Sequence, residues 1–356
     1  TYMKQDKITS FQYATLSFFL LVSFFMNSGY YILIKISKND SLISIIIGGI
    51  IILLFQAFVF YLNKNNQDNI IITIKKKYPY IIQLILYLFI FIAISISTLY
   101  SLNHLISFLS YYVIKEISTF IITITLISTI LYITSKGIST ITKLSEIFFY
   151  FYIFLILFAF IGLVKYIDLS NLKPLFTTKI NNLTNSSLTY FISAIIPIFL
   201  LQIISNKEIE ENKKTKKFTY TFIILFIILT IIEFIMIISV LGIELASIYQ
   251  NPDMIVYKKI SFLNVLERIE VLLAFLNILN SLFISIMGCL FIKSIINNII
   301  GRKKEHITIA LIGIILILCS SIYSIPSWIY FTASISIIMF YLILFISRFG
   351  YKDNHH

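Results

Sequence analysis

The feature that most constrains this chain is a succession of apolar stretches, each long enough to cross a hydrocarbon layer. A helix rises about 1.5 Å per residue and the layer is about 30 Å thick, so about 20 apolar residues suffice. Ten stretches qualify, at about 10–34, 41–62, 80–112, 117–134, 138–164, 188–205, 218–240, 265–298, 306–323 and 326–347. The residue-by-residue alternation of a membrane β-strand is absent, which excludes a barrel. Charged residues make up only 12% of the chain, against about 25% in soluble domains, so a fully wetted surface is excluded too. Cys289 and Cys319 are the only cysteines and both fall in apolar runs, which excludes a disulfide-stapled fold. No small-residue cleavage pattern accompanies the first stretch, so it reads as a span and not a signal peptide. The expected fold class is an all-α, multi-pass membrane protein.

The net charge of +12 would point to nucleic acid in a soluble domain. In a membrane protein it orients the loops instead, because cytoplasmic loops collect Lys and Arg. With the N-terminus inside, 19 of the 28 basic residues fall on the inner side, among them Lys75, Lys76, Lys77 and the run Lys213-Lys214-Thr215-Lys216-Lys217. The other 9, such as Lys35, Lys165 and Lys258, fall outside. Both termini are expected in the cytoplasm, membrane lipid is the expected surroundings, and no nucleic-acid partner is expected.

A polar loop at 165–187 divides the chain into five spans and five, 8–164 and 188–347, followed by a tail at 348–356. Five is odd, so the second half enters the membrane from the opposite side. That parity suits an inverted repeat, an architecture whose binding site lies at helices interrupted at corresponding points. The first span carries Asn27, Ser28 and Gly29 near mid-membrane, and the sixth carries Pro197 after Ser193 and Ala194. Gly and Pro both weaken a helix interior. Backbone N–H groups near Ser28 and Gly29 would suit a carboxylate, and carbonyls near Ser193 and Ala194 would suit an ammonium. An amino-acid zwitterion fits both, although another small polar solute would fit nearly as well.

Two polar stripes face these breaks. Ser97, Tyr100, Ser101 and His104 share one face of span three, and Asn277, Asn280, Ser281 and Ser285 share one of span eight. Such groups either contact a ligand or bond between helices. Glu233, within span seven, is a proton relay or gate, or else a buried carboxyl paired with a tyrosine or lysine. Lys143 and Glu146 are a second relay candidate, or an interfacial ion pair. His104 has no second His or Cys at ligand spacing, so neither a metal site nor a cofactor is expected. No nucleophile with a base and no phosphate loop appears, so no enzyme is expected.

One segment is more specific: Tyr257-Lys258-Lys259-Ile260-Ser261-Phe262-Leu263-Asn264-Val265-Leu266-Glu267-Arg268-Ile269-Glu270. It resembles the approach to the eighth span in the B subunits of bacterial spore-germination receptors. Lys7-Ile8-Thr9-Ser10-Phe11-Gln12 is similar to that family's N-terminal start. Upstream, Asn251-Pro252-Asp253 stands where relatives tend to carry Tyr-Pro or Phe-Pro. The resemblance implies a LeuT-like fold of the amino acid–polyamine–organocation superfamily, with discontinuous first and sixth helices. It further implies a spore inner-membrane subunit that senses a nutrient germinant beside A-type and C-type receptor subunits. It places the ligand at Asn27, Ser28, Gly29, Tyr100 and around Ser193 to Pro197. Glu267, Arg268 and Glu270 would either begin a solvated helix or dock a partner. The competing expectations are a proton-coupled amino-acid permease of the cell membrane and a passive conduit for water or ions.

Overall fold

The computed structural model describes residues 7–64, 67–114, 116–210, 212–260, 269–301, 305–322 and 326–350. These residues are helical almost throughout, with one isolated parallel bridge between Ile8 and Ile209. The helices are α1 (Ser10–Phe24), α2 (Tyr30–Ser37), α3 (Ser41–Leu62), α4 (Ile70–Lys77), α5 (Tyr80–Phe108), α6 (Thr119–Lys136) and α7 (Ile138–Leu163). They continue with α8 (Ile180–Ser193), α9 (Ile195–Leu200), α10 (Asn212–Ala246), α11 (Pro252–Tyr257), α12 (Ile269–Ile300), α13 (Glu305–Ile322) and α14 (Ser327–Gly350).

Eight helical stretches among the described residues are long and apolar enough to cross a membrane, and Ser10–Phe24 and Thr308–Ser320 are shorter apolar helices. The protein is therefore a multi-pass membrane protein. Chain geometry redraws some of the expected boundaries. Lys38, at φ 50°, turns the corner where α2 passes to α3, and α2 runs on to Ser37, beyond the expected end of the first span at about 34. α8 begins at Ile180, inside the stretch read as a loop, because Ser186 and Ser187 on its polar sequence are buried. Ser186 accepts from the Ser37 hydroxyl at 2.8 Å, where a larger side chain would hold the helices apart.

α1 is the centre of the bundle. Every residue from Ser10 to Phe24 except Phe11 is buried, as its lack of a polar face requires. It packs against α7, α9, α10 and α12. α9 is buried along its whole length as well. α5 and α12 form a second tight pair, in which Gly288 of α12 lies against Thr98. A Cβ at Gly288 would stand 2.0 Å from the Thr98 hydroxyl, so only glycine allows this approach.

The base of α1 is fastened at the lysine-rich end of the bundle. Thr9 and Gln12 form a reciprocal capping box, with both bonds at 3.1 Å. The Gln12 amide also donates to Glu146 of α7 at 2.9 Å. Ile8 exchanges backbone bonds of 2.8 Å with Glu208 and Glu210, and the Ser10 and Thr215 hydroxyls meet at 3.0 Å. At the opposite end, Asp40 binds the stretch leading into α8. Its carboxylate accepts the backbone N–H groups of Phe176, Thr177 and Thr178 at 2.5, 2.9 and 2.8 Å, and also the Thr178 hydroxyl.

Candidate functional site: a vestibule ending at two interrupted helices

The interruption in the first span is a π turn at Phe25–Gly29, not an unwound stretch. Phe24, Phe25, Gly29 and Tyr30 all keep right-handed helical dihedrals. The turn is wider than an α turn and brings the Phe25 ring against Gly29, where a Cβ would lie 2.6 Å from the ring. The expected set of freed N–H groups is therefore replaced by a bulge that re-aims side chains. Ser28 points to Tyr100 of α5, hydroxyl to hydroxyl at 2.8 Å. The side chain of Asn27 lies outside the described residues.

The second interruption is a turn at Ala194 between α8 and α9. Pro197 has no N–H, so the Ser193 carbonyl lacks its helical donor four residues on. Tyr330 of α14 supplies the replacement, donating its hydroxyl to that carbonyl at 2.9 Å. The Ser193 hydroxyl is also engaged, donating to the Tyr190 carbonyl at 2.7 Å. The carbonyl proposed for an ammonium is thus held by the chain's own tyrosine.

Tyr330 joins the two interruptions. Its ring stacks on Phe24 at 5.1 Å and leans on Tyr100 at 5.1 Å. A continuous line runs from Ser28 through Tyr100 and Tyr330 to Ser193. Above it opens a cavity of about 900 Å³, reached from the end of the bundle where Tyr111, Gln250 and Pro326 lie. Ser28 and Tyr100 line it, as does His104. One wall follows a single face of α5, with His104 stacked near Phe108 and Phe108 near Tyr112, four residues apart each time. Hydroxyls and amides face the space, including Asn103, Ser107 and Asn251, and no described lining residue is an Asp, Glu, Lys or Arg.

The remaining expected residues lie behind this floor or away from it. Ser101, one of the expected ligand contacts, donates to the Ser281 carbonyl at 2.9 Å, the interhelical alternative, and Ser285 donates to the same carbonyl at 2.8 Å. Asn277 and Asn280 of α12 are fully buried. Asn277 donates to Asp253 of α11 at 3.0 Å, while Asn280 faces Tyr152. Glu233 of α10 accepts the Tyr30 hydroxyl at 2.6 Å, the tyrosine pairing that was one of its two readings. Glu146 is half-buried at the lysine-rich end beside Gln12, and Lys143 is exposed nearby, so neither reaches the vestibule. Glu267 and Arg268 lie outside the described residues, as does the side chain of Glu270.

Two functional candidates were not singled out from the sequence. Tyr330 follows a Pro-Ser-Trp segment and is one of 23 tyrosines, with nothing local to distinguish it. Asp253 stood in plain view after Pro252, but an acid at the first turn of a short helix reads as an ordinary N-terminal residue. Its burial in the bundle is visible only in three dimensions.

Residues 7–328 match the protein family described as spore germination protein, known as the spore permeases. The match spans nearly all of the helical bundle, so the chain belongs to that family. No curated protein matches the chain.

Proposed function

We propose that this member of the spore germination family is a nutrient-germinant receptor subunit of the spore inner membrane, with both termini cytoplasmic. In this reading it is not an enzyme. It binds a small solute, an amino acid in the first instance, and signals through A-type and C-type partner subunits. The observation that carries the reading is the vestibule floored by Ser28 and Tyr100, adjoining both interrupted helices. Its described lining residues offer hydroxyls, amides and aromatic faces and include no Asp, Glu, Lys or Arg, with Lys35 and Lys258 standing over the lining Tyr31 and Tyr112. A neutral or zwitterionic solute finds hydrogen-bonding partners there for its polar groups without needing a net counter-charge.

The ten-helix, five-plus-five inverted repeat is proposed as the scaffold. Support comes from the central, buried positions of α1 and α9 and from the interruptions beside them. A ligand at the floor competes for the Ser28–Tyr100 bond and loads the Tyr330 contact with Ser193. The bundle then shifts only if one arrangement binds the ligand better than the other, and the partner subunits read that difference.

Glu233, buried and bonded to Tyr30 immediately after the π turn, favours one alternative: a proton-coupled amino-acid permease. A passive conduit for water or ions is the other. Labelled amino acids offered to the purified full-length chain separate these readings. The receptor reading expects saturable binding, weakened about tenfold by Ser28→Ala or Tyr100→Phe through loss of a buried hydrogen-bonding group. Concentrative uptake into proteoliposomes would overturn it in favour of the permease. Copurification with A-type and C-type subunits tests the docking role of Glu267, Arg268 and Glu270.

A further inference from the structure

At the lysine-rich end of the bundle lies a second cavity, of about 420 Å³, that shares no lining residue with the vestibule. It stands where α3 ends at Leu62 and where α10 passes from its lysines to Phe218. Spanning helices leave the apolar layer at such a change of composition, and the Phe60 and Tyr220 rings, 5.8 Å apart, mark that depth. The lining is part apolar, with Ile70, Leu201, Ile204 and Ile209, and part polar, with Lys64, Lys216 and Asp68 among amides and hydroxyls.

The charges in this cavity are unequal. Asp68, the one acid among its described lining residues, is already held by Lys76 and by Lys207, the latter at 2.8 Å. Glu208, beside Lys207, is turned to the Ser205 N–H at 3.0 Å. Lys64 and Lys216 have no carboxylate partner among the described residues, and the Lys216 ammonium lies 5.8 Å from the centre of the Phe60 ring. Four ammonium groups thus gather around one carboxylate. Asn63 donates to the Gln202 side-chain oxygen, which leaves the Gln202 amide nitrogen as a further donor.

We propose that this cavity is a headgroup site for an anionic phospholipid, with Lys64 and Lys216 pairing its phosphate and Gln202 donating to it. Ammonium groups bind phosphate as point charges, and basic pockets between spanning helices suit lipid headgroups. The apolar part of the lining argues for a lipid over a free phosphate, since a lipid carries its phosphate beside hydrocarbon. The same cavity touches the base of α1. Tyr13 lines it, and so does Thr215, whose hydroxyl meets that of Ser10 at 3.0 Å. An occupied site therefore braces the end of α1 remote from the π turn. The site does not depend on the vestibule being a germinant pocket.

The test uses the purified full-length chain in detergent micelles doped with dioleoyl phosphatidylglycerol or dioleoyl phosphatidylcholine, with no amino acid present. Native mass spectrometry counts the lipids retained, and thermal unfolding is followed in each mixture and with inorganic phosphate alone. The expected results are one tightly retained phosphatidylglycerol per chain and a higher unfolding temperature with it than with phosphatidylcholine. Lys64→Gln and Lys216→Gln should each weaken retention about fivefold. Lys136→Gln, an exposed lysine outside the cavity, should leave it unchanged. Wild-type retention and unfolding that are the same with both lipids would overturn the proposal whether or not the variants fold. An equal loss in Lys136→Gln would reduce it to diffuse attraction and overturn it too. Stabilisation by inorganic phosphate without a response to phosphatidylglycerol would overturn the lipid as the source.

Discussion

Replacing Tyr330 with Phe removes one oxygen and leaves the ring contacts with Phe24 and Tyr100 in place. What is lost is the 2.9 Å bond to the Ser193 carbonyl, which Pro197 has already deprived of its helical donor. That carbonyl is then buried with one partner fewer, at a cost of about 1–2 kcal/mol. Pro197→Ala restores an N–H four residues after Ser193, so the backbone can close the bond that Tyr330 otherwise replaces. Tyr330→Phe should therefore destabilise the native chain strongly and the Pro197→Ala chain much less. A double-mutant cycle on detergent-solubilised protein, unfolded by denaturant titration, measures the difference. The expected coupling is about 1 kcal/mol, well above the roughly 0.3–0.5 kcal/mol scatter of independent sites. Additive effects would refute the assignment of Tyr330 as a surrogate donor for the proline-broken helix.

Asp40→Ala should destabilise the chain by about 2–4 kcal/mol, since several charge-assisted bonds at Phe176–Thr178 are lost together; chemical unfolding measures this. Burial works against the Asp40 anion, but the Thr178 hydroxyl and the N–H groups of Thr178, Phe176 and Thr177 outweigh it and hold its carboxyl below the usual range. Its contribution is therefore complete above the ordinary carboxylate range and is lost as pH falls through the depressed value, so Asp40→Asn should flatten the acid limb of a stability–pH profile. Gly288→Ala drives a Cβ into the Thr98 hydroxyl and should cost about 1–3 kcal/mol, most of it recovered when Thr98→Ala is added, as thermal unfolding of both variants would show. Thr9→Val removes the cap of α1 and should cost about 1 kcal/mol, read by the same melting assay.

Several features of the site were legible in the chain because they depend on local chemistry. Asn27-Ser28-Gly29 marks a weak point in any apolar helix, and the π turn lies there. Pro197 removes a specific backbone donor wherever it stands. The shared face of Tyr100, Ser101 and His104 follows from helical periodicity, although only packing decided that Tyr100 meets Ser28 while Ser101 meets α12. The form of the first interruption was not legible, since both an unwound stretch and a π turn satisfy the same residues. Asp253 escaped notice because its solvation depends on α12, and Tyr330 because its partner is a carbonyl 137 residues away.

The sequence by itself determined that this protein lives in a membrane, because apolar length and charge scarcity are sums over residues and need no fold. It also determined where helices weaken, because backbone donors are lost residue by residue. Which weakened helices face each other, which tyrosine repairs the broken one, and which tyrosine holds the buried Glu233 were decided by tertiary structure alone. Those outcomes depend on distances between segments far apart in the chain, and in a low-dielectric interior a few ångströms separate a satisfied polar group from an unpaired one.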